Sequence, residues 1–280
     1  MTTNVRESPG IGPARSNLCF ASTMTAASSS FSLRGRRAAV LGATSGIGRA
    51  VAVGLAEAGA DVIVHGRTSA RAADDLASDL RSRGVRSQAL MADLADRAAG
   101  DRLVEQAWGV WNGLDAWLHI AGADTLTGPN AQLSFDAKLD LLWSVDVAAT
   151  IRLCREAGRR MKAQRHGAIV TMGWDQAETG MAGDSGELFA ATKGAVMAFT
   201  RSLALSLAPE VRVNALAPGW IKTAWGQAAS STWHNRVLRE TPLARWGTPD
   251  DVARVACFLV SPAAEFMTGQ VVRINGGAIR

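Results

Sequence analysis

The chain has 280 residues, of which 48% are hydrophobic and 20% charged, and its formal net charge of +5 comes from arginine far more than lysine. These charges are scattered rather than blocked, and no apolar run approaches the roughly 20 residues that cross a bilayer, so nucleic acid and membrane are both excluded as expected partners. Cys19, Cys154 and Cys257 share no metal-ligand spacing. No metal is expected, and the cysteines read as small buried hydrophobes of a reducing compartment, the cytoplasm.

Residues 1–33 are rich in Ser, Thr, Ala, Gly and Pro and carry no periodicity, which predicts a disordered N-terminal extension. Arg6 and Arg15 among many serines also fit a targeting peptide, and Met24 offers a second start, but an apolar secretory segment is missing. Residues 34–280 then read as one domain, a size that α/β cores reach before they split.

From Arg34 onward, short apolar runs alternate with longer amphipathic stretches, the pattern of successive βαβ units around a parallel sheet. The runs predict strands at Ala38–Leu41, Asp61–His65, Ser87–Met91, Ala116–His119, Ala168–Met172, Val211–Ala215 and Val271–Ile274. Between them, helices are predicted over Arg49–Ala58 and Ser69–Arg83, each closed by a glycine, Gly59 and Gly84. Longer helical patterns follow at Ala98–Trp111, Phe135–Lys162, Phe189–Leu207 and Asp250–Leu259.

The first strand runs into Gly42-Ala43-Thr44-Ser45-Gly46-Ile47-Gly48, which opens a helix. Glycines there turn tightly and let backbone N–H groups approach a diphosphate at a helix N-terminus, so this segment predicts a dinucleotide site. The second strand ends His65-Gly66-Arg67, where NAD-binding sheets place an acidic residue on the ribose. A cation at Arg67 can pair with a 2′-phosphate, which favours NADP(H) over NAD(H).

With these motifs the chain resembles the short-chain dehydrogenases/reductases over nearly everything from Arg34. The matching pieces are Gly42–Gly48, Asp93-Leu94, Ala121-Gly122, Lys193, Pro218-Gly219 with Thr223, and Asn275-Gly276-Gly277. The resemblance implies a Rossmann-type, doubly wound sheet of seven parallel strands in three αβα layers, forming an NAD(P)-binding domain. It also implies that Asp93 and Leu94 meet the adenine and that Ala121 and Gly122 line the ribose side. Pro218, Gly219, Ile221 and Thr223 would border the nicotinamide, and the two long helices would build a homodimer or homotetramer.

The family works with Asn, Ser, Tyr and Lys, and only the Lys is present. Phe189 holds the Tyr position four residues before Lys193, and the chain contains no Tyr. Trp174 holds the Ser position, unless a loop residue such as Gln176 takes the place, and Asp146 holds that of the Asn. Phe189 has no proton to give, and positioned acid catalysis is worth roughly 10²–10⁴-fold, so ordinary ketone reduction is expected to be impaired. Lys193 keeps a role as a donor toward the nicotinamide ribose.

Carboxylates have been added at Asp146 and Asp175, with Glu178, Asp184 and Glu187 read as a solvated lid. Lys193, Asp146 and Asp175 are therefore the catalytic candidates, in a site expected to favour developing positive charge, as on an iminium. Trp174, Trp220 and Trp225 fall after strand ends and suggest a flat or aromatic ligand. Trp108, Trp111, Trp117 and Trp143 have the spacing of core residues, and His65 and His119 read as structural. The expected function is an NADP(H)-dependent oxidoreductase with an atypical site acting on a carbonyl or imine of a small metabolite. A catalytically silent NADP(H)-binding sensor or oligomer partner, and a carboxylate-driven isomerase or dehydratase, are its rivals.

Overall fold

A computed structural model describes residues 31–279. Residues 1–30, which hold most of the expected disordered extension together with Cys19 and Met24, lie outside the described residues.

Seven strands are formed: β1 (Arg37–Leu41), β2 (Asp61–Gly66), β3 (Ser87–Met91), β4 (Ala116–His119), β5 (Gly167–Met172), β6 (Val211–Pro218) and β7 (Val271–Ile274). They make one sheet in the order β3-β2-β1-β4-β5-β6-β7, with every neighbouring pair parallel. Each sequence-predicted strand is present, and β6 runs on to Pro218 because its residues stay buried to that point.

Helices α1 (Gly46–Glu57), α2 (Ala70–Ser82) and α3 (Arg97–Trp111) follow the first three strands. After β4 the predicted single helix is one continuous rod in three parts: α4 (Phe135–Leu142), a π-helical turn over Trp143–Ala148, and α5 (Ala149–Gln164). Helix α6 (Asp184–Leu207) begins a turn earlier than its apolar pattern suggests. Two helices were not legible as periodic runs, α7 (Ala224–Ala228) and α8 (Ser231–Glu240). The last, α9 (Pro249–Val260), starts with Pro249 at its first position and a reciprocal cap between Thr248 and Asp251, which satisfies its free N–H groups.

The period-two alternation of the strands sends successive side chains to opposite faces. Val40, Val64 and Leu118 pack under Leu55 of α1 and Val252 of α9. Leu41, Ile63 and Trp117 pack on the other face, against Leu153 of α5 and Leu203 of α6. The three-layer αβα arrangement follows directly from that division. Trp117 is fully buried as expected, but Trp143 is 50% exposed, because it stands on the outward side of the π turn whose Val145, Asp146 and Val147 face in. No described helix is long and apolar enough to cross a membrane.

Candidate active site

Strand order reverses between β2 and β4 on either side of β1, and a crevice opens there at the carboxyl ends of the strands. Gly42 leaves β1 with φ +78°, and a Cβ on it would sit 2.7 Å from the Cα of Ala121 at the end of β4. At Gly48 a Cβ would lie 2.0 Å from the Gly42 carbonyl oxygen. The turn therefore closes only with glycine at both places. Ser45 precedes α1 in extended conformation, its side chain caps nothing, and the first turn of α1 holds no acidic residue. No cap or acid competes for the positive end of the helix, which suits the pyrophosphate of a dinucleotide.

His65 ties this turn to its neighbour. Its ring is buried, Nδ1 accepts from the Gly42 N–H at 3.2 Å and Nε2 donates to the Ala92 carbonyl at 3.0 Å. Burial pushes its pKa down to about 4, so the neutral Nε2–H form meets both bonds.

A groove of about 490 Å³ runs across these strand ends. It brings together Gly42, Thr44, Ser45, Gly46, Ile47 and Gly48 of the turn, Arg67 after β2, Asp93 and Leu94 after β3, and Ala121 and Gly122 after β4. Asp146 and Lys193 close its far end. Beyond them lies a second cavity of about 420 Å³, lined by Pro218, Gly219 and Ile221 among others. Ile47, Met172, Phe189, Lys193 and Thr223 line both spaces, so the two meet at Phe189 and Lys193.

Lys193 is nearly buried, and its Nζ lies 2.7 Å from Oδ2 of Asp146, whose side chain is 1% exposed. The other oxygen, Oδ1, accepts from the Ala123 N–H at 2.7 Å, and a Cβ at Gly122 would come within 2.9 Å of Oδ2. The π turn carries Asp146 inward to this point, and Thr150 Oγ1 donates to the Asp146 carbonyl one turn later. One carboxylate thus joins the loop after β4 to the ammonium of α6.

Phe189 stands one turn before Lys193 on the same face of α6, edge-on to Trp174 with ring centroids 6.3 Å apart. Trp174 lines the second cavity, whereas Gln176 is buried and lines neither space. The Phe189 ring has no proton to give to a substrate oxygen at this edge, and Trp174 has no hydroxyl, its one donor being the indole N–H.

Asp175 is the sequence candidate that the structure separates from the others. It is fully buried and lines neither space. Asn275 Nδ2 donates to its Oδ2 at 3.1 Å, and it lies behind Gly219, where a Cβ would approach the same oxygen to 2.9 Å. Burial pushes its pKa up to about 6 against the ordinary 3.8. Between those values the folded chain holds a proton that the unfolded chain has lost, so stability falls as pH rises through that window. Asp175→Asn is expected to remove this slope and to raise the unfolding free energy at neutral pH by up to about 3 kcal/mol, read by urea denaturation across the pH range.

The remaining acidic residues also stay outside. Glu178 is exposed and pairs with Arg201 and Arg273, and Asp184 and Glu187 are exposed on the first turn of α6. Among the described residues no carboxylate lines the second cavity, whose one charged group is Lys193. The expectation of a site tuned to positive charge is corrected accordingly: Asp146 is spent on an ion pair, Asp175 on Asn275 and Glu178 on surface arginines, while Asp184 and Glu187 face solvent.

Sequence reasoning missed Trp233 and Met181, which also line this cavity. Trp233 is set by α8, whose start carries a readable signal in Ser230, a serine three residues before Trp233 that accepts its N–H.

Comparison with known proteins agrees with this fold. Residues 42–278 match the family model described as enoyl-(acyl carrier protein) reductase. The chain is 34% identical over 250 residues to a 3-oxoacyl-(acyl-carrier-protein) reductase of Aquifex aeolicus, covering 88% of this chain and 98% of that one. It is 35% identical over 263 residues to a cyclohexanol dehydrogenase of Rhodococcus sp., covering 88% and 96%. A gluconate 5-dehydrogenase of Burkholderia cenocepacia, solved with NADP and tartrate, superimposes with a TM-score of 0.81 at 30% identity, over 90% of this chain and 98% of that one.

Proposed function

The chain belongs to the short-chain dehydrogenase/reductase family, and within it we propose that the protein is an NADP(H)-dependent oxidoreductase with an atypical active site, acting on a carbonyl of a small metabolite. The observation that supports this reading is the meeting of the strand-end groove and the apolar cavity at Phe189 and Lys193. Ser45, Gly46 and the first turn of α1 would hold the pyrophosphate, Asp93 and Leu94 the adenine, and Ala121 and Gly122 the adjoining ribose. Thr223, with Pro218, Gly219 and Ile221 behind it, would border the reactive ring. When bound, the nicotinamide supplies the hydride.

Lys193 then has two duties. Its Nζ–H groups can donate to the cofactor's ribose and to the substrate oxygen that gains charge as the carbonyl is reduced. Asp146 keeps the ammonium in place, so Lys193 is a steady hydrogen-bond donor. A carbonyl fits this donor better than an iminium, whose charge Lys193 would repel. The long helices α4–α5 and α6, with Trp143 and Leu205 exposed, are the surfaces through which a homodimer or homotetramer would form.

NADPH titration followed by its oxidation with a panel of ketones tests the reading. Failure to bind NADPH overturns it, and binding without turnover favours a silent cofactor-binding protein. Arg67 is exposed beside the groove, where a 2′-phosphate would meet it. Charge-assisted bonds of this kind are worth about 1.5–3 kcal/mol, so Arg67→Ala is expected to weaken NADPH binding by roughly 10- to 100-fold and leave NADH binding little changed. Equal losses for both cofactors in calorimetry would remove the basis for the NADP(H) preference.

A further inference from the structure

We infer that the second cavity selects an uncharged, planar aromatic carbonyl compound, holding its ring system against a wall of tryptophans and its oxygen toward Lys193. The inference rests on the reading above and adds the class of substrate.

Trp220, Trp225 and Trp233 form the far wall. Trp220 and Trp225 are near parallel, 27° apart with centroids separated by 6.0 Å, and Trp233 meets them at 5.3 and 5.6 Å. Trp174 and Phe189 make the wall next to the groove. A space of about 420 Å³ bounded by five aromatic rings lies in the range of small-ligand pockets, and such rings favour offset or edge-on contact with a flat guest. The polar side chains that reach it are few: Ser185, Lys193 and Thr223. Lys193 and Thr223 stand where the cavity meets the groove and Ser185 lies two turns before Lys193 on α6, so the charged donor is at the groove end and three indoles are at the other. Such polarity along one axis fits a molecule with an oxygen at one end and a flat apolar body.

Tryptophan boxes also take cations, and two observations argue against that guest. Arg236, which does not line the cavity, lies 5.8 Å from the Trp220 ring centre and 4.8 Å from that of Trp233, so a guanidinium already occupies those π systems. Among the described residues no carboxylate lines the cavity to meet a cationic guest, and the charged group that does is the ammonium of Lys193. Anions gain little either, because Asp146 neutralises that ammonium at 2.7 Å.

The protein loaded with NADP+, which cannot be turned over by a ketone, provides the test by calorimetry. 2-Acetonaphthone is compared with 2-acetyldecalin, its saturated counterpart, and with N-methylisoquinolinium. The expected result is naphthyl ketone binding at least 10-fold tighter than both. Trp225→Leu and Trp233→Leu are expected to erase that preference while NADP+ affinity, measured in the same titrations, stays unchanged. Equal binding of the two ketones, or tighter binding of the cation, overturns the inference and leaves the proposed function standing. Absence of NADP+ binding overturns the proposed function and the inference with it.

Discussion

Phe189→Tyr is expected to raise kcat/KM for ketone reduction with NADPH by roughly 10²-fold or more, within the range that a positioned general acid contributes. The ring already stands where groove and cavity meet, one helical turn from Lys193 on the same face of α6. A phenol there gains a hydroxyl beside an ammonium, which favours the ionised form and so makes the hydroxyl a better acid. The gain should appear in kcat rather than KM, because a proton moves only as the oxygen gains charge. A Tyr variant that binds NADPH as the parent does yet shows no faster turnover on any ketone would mean that Phe189 is not placed to serve the reacting oxygen.

Lys193→Met should have the largest effect on stability. The substitution removes the ammonium and leaves Asp146, 1% exposed, with Ala123 N–H as its remaining strong partner. Breaking a buried pair in this way typically costs about 3–5 kcal/mol, because the abandoned charge stays desolvated. Asp146→Asn in the same chain relieves that charge and still accepts from Ala123, so the double variant is expected to regain most of the lost stability. Thermal and urea denaturation of the three variants read the cycle. NADPH affinity should stay low in the double variant, because the donor at the groove's end is gone in both. A Lys193→Met protein as stable as its parent would show that the pair is not closed in solution.

Much of the fold was legible because parallel strands buried on both faces write continuous apolar runs, as at Val40, Val64 and Leu118, bounded by glycines that only tight turns need. The groove was equally open to reading, since Gly42 and Gly48 are demanded by contacts a few residues away in chain or across one strand. Spatial pairing was harder to see. Nothing in the sequence separates Asp146 from Asp175 as a partner for Lys193; the π turn that rotates Asp146 inward and the layer of Gly219 and Asn275 that covers Asp175 exist only in three dimensions. Helix α8 escaped notice because it is short and mostly polar, with Val237 its one buried residue, and with it went Trp233.

The two cations that the proposed reaction relies on live in different solvents. Arg67 stands in bulk water, where dissolved ions crowd around it, while Lys193 is nearly buried beside Asp146, where screening by such ions is weaker. If the proposed function holds, the salinity of the surroundings is therefore expected to act on how firmly the cofactor is gripped far more than on the reacting end.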